Sequence, residues 1–159
     1  VMDEGRLIQT GKALDIYQAP KTVAAAIAMA DPPINLLSSK VDGKTANFGP
    51  ESFKLSRPEL DGSSAGEITL GIQPGKINLE SQGSTSVSFK CQVQLAEVTG
   101  SSTFVHVQLE SGDEVVIEVE GTENFALDKK LTAYFDPADL YGFNPTTGQA
   151  VFAPIGKGK

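Results

Sequence analysis

Phe89-Lys90-Cys91-Gln92-Val93-Gln94-Leu95 alternates apolar and polar side chains without a break. A period of two puts Phe89, Cys91, Val93 and Leu95 on one side of an extended strand and the three polar residues on the other. That is the pattern of a strand half buried against a core. The alternation returns downstream, with Val105, Val107 and Leu109 set against Phe104, His106 and Gln108. It returns again with Val115, Ile117 and Val119 set against Glu114, Val116 and Glu118. Leu131, Ala133 and Phe135 predict another strand, and Ala150 to Phe152 a last one. Ser111-Gly112-Asp113 predicts a tight hairpin. Short strands at near-regular spacing, separated by Gly and Asp turns, indicate a small β-barrel or sandwich. Segments 43–50 and 58–66 read as loops, the second rich in Ser and Gly.

Working towards the N-terminus, the period changes. Asp31-Pro32-Pro33 stops a helix, because a residue preceding proline is pushed out of the α region. Before it, Thr22 to Ala30 predicts an Ala-rich helix and Lys12 to Tyr17 a short helical turn. Asp3-Glu4-Gly5 is a turn signal followed by a strand pattern, Arg6 to Gln9. Only Val1 and Met2 precede it, fewer than the roughly 5–6 residues of an ordinary strand. The chain therefore reads as a piece of a longer one.

The 159 residues carry a formal net charge of −7 and a pI near 4.7. Nucleic-acid binding needs clustered Lys and Arg to displace counterions, and no such cluster is present. The same balance disfavours docking on an anionic lipid surface. No apolar run approaches the ~20 residues of a membrane-spanning helix. A single cysteine, Cys91, excludes an internal disulfide and fits a reducing compartment.

Several near-motifs dissolve on inspection. Gly5 to Gly11-Lys12-Ala13 approximates a P-loop but has one residue too many, and ends in Ala where a hydroxyl must reach magnesium. Ser38 to Gly43-Lys44-Thr45 has the spacing but lacks the first glycine, and Gly49-Pro50 prevents the helix that must follow. An Asp42-Gly43 turn between two short strands explains it. His106, the sole histidine, reads as a solvated strand residue, and Cys91 as core. The run Glu114, Glu118, Glu120 and Glu123 suggests a divalent-ion site. Alternation puts the first three on one strand face at intervals of about 7 Å, too wide for a cation shell, and a solvated acidic face is the reading. No catalytic, cofactor-binding or metal-binding residue is assigned.

A family resemblance spans nearly the whole chain. Gly5-Arg6-x-Ile8-Gln9-x-Gly11, Ile16-Tyr17-x-x-Pro20 and Asp31-Pro32-Pro33-Ile34-Asn35-Leu36-Leu37 resemble a junction in the ATPase subunits of bacterial carbohydrate-type ABC importers. There the nucleotide-binding domain passes into the C-terminal regulatory domain. Leu70-Gly71-Ile72-Gln73-Pro74, Gly100-Ser101-x-Thr103-x-Val105-His106-Val107 and Phe135-Asp136-Pro137-x-x-Leu140-x-x-Phe143 resemble further segments of that domain, in the family's order. The resemblance implies a mainly β fold, a small OB-type (TOBE/MOP-like) β-barrel preceded by a hairpin remnant and one or two short helices. It implies residues 1–31 as the end of the nucleotide-binding domain, 32–155 as the regulatory barrel and 156–159 as a tail. In the family the helix over 22–30 packs on the nucleotide-binding domain, so Val23, Ile27 and Met29 are left for an artificial contact.

By the same resemblance, the fragment holds two ATPase subunits together and carries no catalysis. P-loop, Walker B acid, signature motif and switch histidine are absent from it, so ATP and Mg belong to the parent. The implied partners are a second ATPase subunit and, through the nucleotide-binding domain, membrane permease subunits. The implied location is cytoplasmic, peripheral to the inner membrane. A regulatory surface needs aromatic anchors, and Phe53, Phe104, Tyr141 and Phe143 are the candidates, with barrel core as the alternative for each. An oxyanion-binding module is the rival reading, with hydroxyls from Ser101, Ser102 and Thr103. Where relatives carry Arg-Pro-Glu-His, this chain has Gln73-Pro74-Gly75-Lys76. The turn held by Pro74 should persist, but contacts made there by relatives should not be carried over.

Overall fold

A computed structural model of the chain describes residues 2–3, 6–7, 33–60 and 66–155. β1 (Met2–Asp3) and β2 (Arg6–Leu7) pair antiparallel, and the rest of the expected turn, Glu4 and Gly5, lies outside the described residues. The predicted helices at 12–17 and 22–30, and the tail at 156–159, lie outside the described residues. The strands that follow are β3 (Asn35–Val41), β4 (Thr45–Phe48), β5 (Glu51–Lys54), β6 (Gly66–Ile72), β7 (Val87–Thr99) and β8 (Ser102–Leu109). After these come β9 (Glu114–Glu120), β10 (Lys130–Phe135), β11 (Tyr141–Phe143) and β12 (Ala150–Phe152).

They form two antiparallel four-stranded sheets, ordered β10-β7-β8-β9 and β12-β11-β6-β3, and the separate hairpin β4-β5. The architecture is the mainly β, OB-type fold the sequence implied. One core lies where the sheets and the hairpin converge. Leu37, Ile68, Leu70 and Ile72 enter it from the second sheet; Phe89, Val93, Val105, Val107, Ile117 and Phe135 enter from the first. The hairpin contributes Phe48, whose ring centroid lies 4.5 Å from that of Phe135 and 5.0 Å from that of Phe89. Tilted rings at this spacing add about 0.5–1.5 kcal/mol per pair beyond the area they bury.

Two expectations need correction. Residues 43–50 are not a loop: after the Asp42–Lys44 turn, β4 runs from Thr45 to Phe48 and buries Ala46 and Phe48. Four residues are too short a run for alternation to stand out against turn signals on either side. Of the predicted 58–66 loop, Pro58–Leu60 is one 3-10 turn and Gly66 already begins β6, while 61–65 lie outside the described residues. The second correction concerns Leu95, which is 47% exposed rather than inward. Val93 faces Val107 and Leu95 faces His106, so Gln94 is an extra residue in β7. Such a bulge reverses the facing of every later residue in the strand.

Two polar side chains join parts that the strand ladders leave separate. Asn35 on β3 donates from Nδ2 to the Val116 carbonyl at 2.9 Å and accepts from the Val116 N–H at 2.8 Å. Its amide stands in for a strand beside the edge of β9, tying one sheet to the other. Arg57, 3% exposed, donates to the Ala153 and Pro137 carbonyls, each at 2.7 Å, and to Leu140 O at 3.4 Å. Its guanidinium lies 4.7 Å from the centre of the Phe152 ring. Burial lowers its pKa, an effect opposed by the carboxylates of Glu59, Asp136 and Asp139.

Candidate functional site

The β7–β8–β9 ribbon carries two of the four exposed large apolar side chains among the described residues, Leu95 and Val98, beside several carboxylates. Cross-strand register sets three rows on its outer face: Leu95, His106 and Val116; Glu97, Phe104 and Glu118; Thr99, Ser102 and Glu120. His106 Nε2 stands 3.3 Å from Glu97 Oε1, and the Ser102 hydroxyl donates to Glu118 Oε2 at 3.1 Å. The bulge at Gln94 puts Leu95 on this face, and Val98, on the other face of the ribbon, is 54% exposed. Sequence alternation pointed Leu95 inward and did not mark Val98, and it contains no signal for a bulge.

The four aromatic candidates do not come together on one surface. Phe53 is in the main core, edge-on to Phe135 at 5.4 Å. Tyr141 and Phe143 stack at 6.1 Å with planes 8° apart, in a second cluster with Ile34 on the other face of their sheet. All three are less than a tenth exposed, so core packing, not surface presentation, is what the isolated chain gives them. Phe104 alone is half-exposed and lies on the ribbon's outer face.

The remaining chemistry is equally committed to structure. Cys91 is buried, and burial raises its thiol pKa to about 11, which keeps the group a neutral thiol. Thr103, fully buried, donates from its hydroxyl to the Gly121 carbonyl at 2.8 Å and accepts from the Glu123 N–H at 3.2 Å. With Ser102 engaged by Glu118, two of the three hydroxyls considered for an oxyanion are used internally. Among the described residues, no group of three or more His, Cys, Asp or Glu side chains is placed to hold a metal. None of their helices is long and apolar enough to cross a membrane.

The altered corner keeps its turn. Pro74–Lys76 is a single 3-10 turn with Pro74 buried, closed by the Lys76 N–H donating to Gln73 O at 2.9 Å. Gln73 Nε2 donates to the Tyr141 hydroxyl at 3.3 Å, linking the turn to β11. Residues 70–143, which run from the end of β6 through this corner and the ribbon to β11, match the family model described as TOBE domain. Over these residues the chain is similar to TOBE domains.

Similarity to curated proteins extends over nearly the whole length of the chain. It is 28% identical over 157 residues to the xylose/arabinose import ATP-binding protein XacK of Haloferax volcanii, covering 95% of this chain and 40% of that protein. It is 27% identical over 150 residues to the sn-glycerol-3-phosphate import ATP-binding protein UgpC 3 of Rhizobium etli, covering 94% of this chain and 40% of that protein. The chain thus spans about 40% of the length of the curated relatives it matches. Over this stretch it is similar to the ATP-binding subunits of sugar and glycerol-phosphate importers. In fold, it resembles the molybdate-bound structure of the cytoplasmic molybdate-binding protein ModG, with a TM-score of 0.56 at 11% identity. That likeness covers 68% of this chain and 94% of ModG.

Proposed function

We propose that this chain is the C-terminal regulatory part of the ATP-binding subunit of an ABC importer for sugars, polyols or sugar phosphates. The observation that carries this reading is the similarity to importer ATP-binding proteins over 95% of the chain, together with the TOBE-domain match over residues 70–143. Residues 1–31 would then end the nucleotide-binding domain, and 32–155 would form the regulatory barrel. The barrel would stabilise a pair of ATPase subunits while their nucleotide domains, with ATP and Mg, open and close against membrane permease subunits. Its place would be the cytoplasmic side of the membrane, reached through those partners.

Within the barrel, the outer face of the β7–β8–β9 ribbon is the best-suited contact surface. It combines half-exposed Phe104 and exposed Leu95 with a border of carboxylates, an apolar centre with a charged rim. Sequencing the source gene upstream of Val1 tests the assignment. A complete P-loop, signature motif and switch histidine are expected there; an unrelated upstream domain would overturn it. For the pairing role, light scattering at high concentration is expected to show a dimer, and Phe104→Glu to weaken it. A strict monomer would remove the pairing claim.

The ModG likeness favours one second reading, a small-ligand module for oxyanions. Molybdate or tungstate titration with a thermal-shift readout separates the two, and no shift is expected from a site built on Ser102 and Thr103.

A further inference from the structure

Strands β10, β7 and β8 lie side by side, and their register builds a patch centred on Cys91. Leu131 and Leu109 flank Cys91, Lys130 and Gln108 flank Gln92, and Thr132 stands opposite Lys90. Cys91 and Leu109 turn into the core. The pleat therefore turns Lys90, Gln92, Gln108, Lys130 and Thr132 to the outer face. Together with Glu110, just past the end of β8, they line an open cavity of ≈ 630 Å³. That size falls within the roughly 300–1,000 Å³ of small-molecule sites.

Lys90 and Lys130 are exposed and occupy diagonal positions of the ladder. Such positions are about 7–8 Å apart, close enough for two long side chains to converge. Neither ammonium, nor the Thr132 hydroxyl, has a hydrogen-bond or ion-pair partner among the described residues. The two amides are held from behind: Gln92 Nε2 donates to the Asp128 carbonyl at 3.0 Å and Gln108 Nε2 to the Gly112 carbonyl at 3.4 Å. Each keeps a second N–H and its oxygen for another partner. Among the described residues, Glu110 is the one carboxylate of the lining, so two lysines outweigh it in a chain whose formal net charge is −7.

We infer that this cavity binds a small hydroxylated phosphate monoester. An ammonium binds phosphate as a point charge, and two of them match the charge of about −1.5 to −2 that a phosphomonoester carries near neutral pH. A single carboxylate would leave one ammonium unmatched. The outward side chains are all polar, and the Thr132 hydroxyl and the two amides supply donors and acceptors for a hydroxylated skeleton. The site lies at the opposite end of β8 from Ser102 and Thr103. It rests on this patch and not on the importer reading.

Calorimetry on the whole 159-residue chain with glucose 6-phosphate, inorganic phosphate, glucose and phosphatidate vesicles tests it. Saturable binding of glucose 6-phosphate is expected, weaker binding of inorganic phosphate, and none of glucose. Lys90→Gln and Lys130→Gln should each weaken the monoester about tenfold, the loss of one charge-assisted contact. Glu110→Gln should tighten it about twofold, the effect of one charge some 8 Å away in water. All three positions are exposed, so the variants are expected to fold, which thermal unfolding checks. Should one misfold, amide chemical shifts of the unaltered chain decide, and these should move at residues 90–92, 108–110 and 130–132. No saturable binding at millimolar ligand, full affinity in both lysine variants, or shifts centred on Ser102 and Thr103 would each overturn the proposal. Equal affinity for inorganic phosphate would overturn the monoester assignment. So would binding of the vesicles without binding of the soluble ligand.

Discussion

Cys91 shows how burial alone decides chemistry at the scale of one residue. Its Sγ lies 3.7 Å from the Leu131 carbonyl, and its pKa rises from 9.0 to about 11 because the thiolate would lose its water. A raised folded-state pKa stabilises the fold fully below the unfolded value, and that contribution is lost as pH climbs through the folded one. Stability measured by urea midpoint should therefore be insensitive to this group below pH 9.0 and decline between there and about pH 11. Cys91→Ala, though less stable throughout, should lose that part of the slope. A maleimide at neutral pH should label native protein far more slowly than unfolded protein. Fast native labelling would mean that the thiol is not buried.

Strands β11 and β12 put the constraint one level up. A Cβ at Gly142 would overlap the Phe152 ring, which packs against that glycine, so the pair is coupled. Gly142→Ala should destabilise by about 1–3 kcal/mol. Combined with Phe152→Ala, the loss should be clearly smaller than the sum of the two, read by denaturant unfolding in a double-mutant cycle. Additive losses would show that the ring does not cover Gly142. The same element scale explains Leu95. One extra residue at Gln94 turns the rest of β7 over, and a surface arises from a sequence that reads as core.

Asn35 and Arg57 act on the whole molecule, since each spans segments far apart in the chain. Asn35→Ala leaves the Val116 N–H and carbonyl without their partner. It should cost about 1–3 kcal/mol, lowering Tm by roughly 2–4 °C per kcal/mol for a chain near this length. Amide exchange should speed at Val116 before it does in the centre of the sheet; a uniform change would argue against a specific tie. Arg57→Met keeps much of the volume but strips three carbonyls of their donor. It should destabilise by about 2–4 kcal/mol, and limited proteolysis should then cut first near residues 153–155. Arg57→Lys, with one compact ammonium in place of a planar fork, should recover only part of that loss.

Much of the fold was legible because local chemistry enforces it. Alternation over 104–109 and 114–119 places Val105, Val107, Leu109, Val115 and Ile117 inward, and the structure buries all five. Pro74 and the Ser111-Gly112-Asp113 turn act within a few bonds of themselves, so they too could be read directly. The family resemblance was likewise a property of the residues. What only the tertiary structure decided depends on which segments meet. Aromatic side chains at Phe53, Tyr141 and Phe143 are equally suited to a core or a contact surface, and neighbours distant in sequence settled them as core. The Gln94 bulge, the Asn35 tie and the Arg57 strut leave no periodic trace. Each is fixed by register or by contacts across 80 or more residues, and a one-dimensional pattern does not encode those distances.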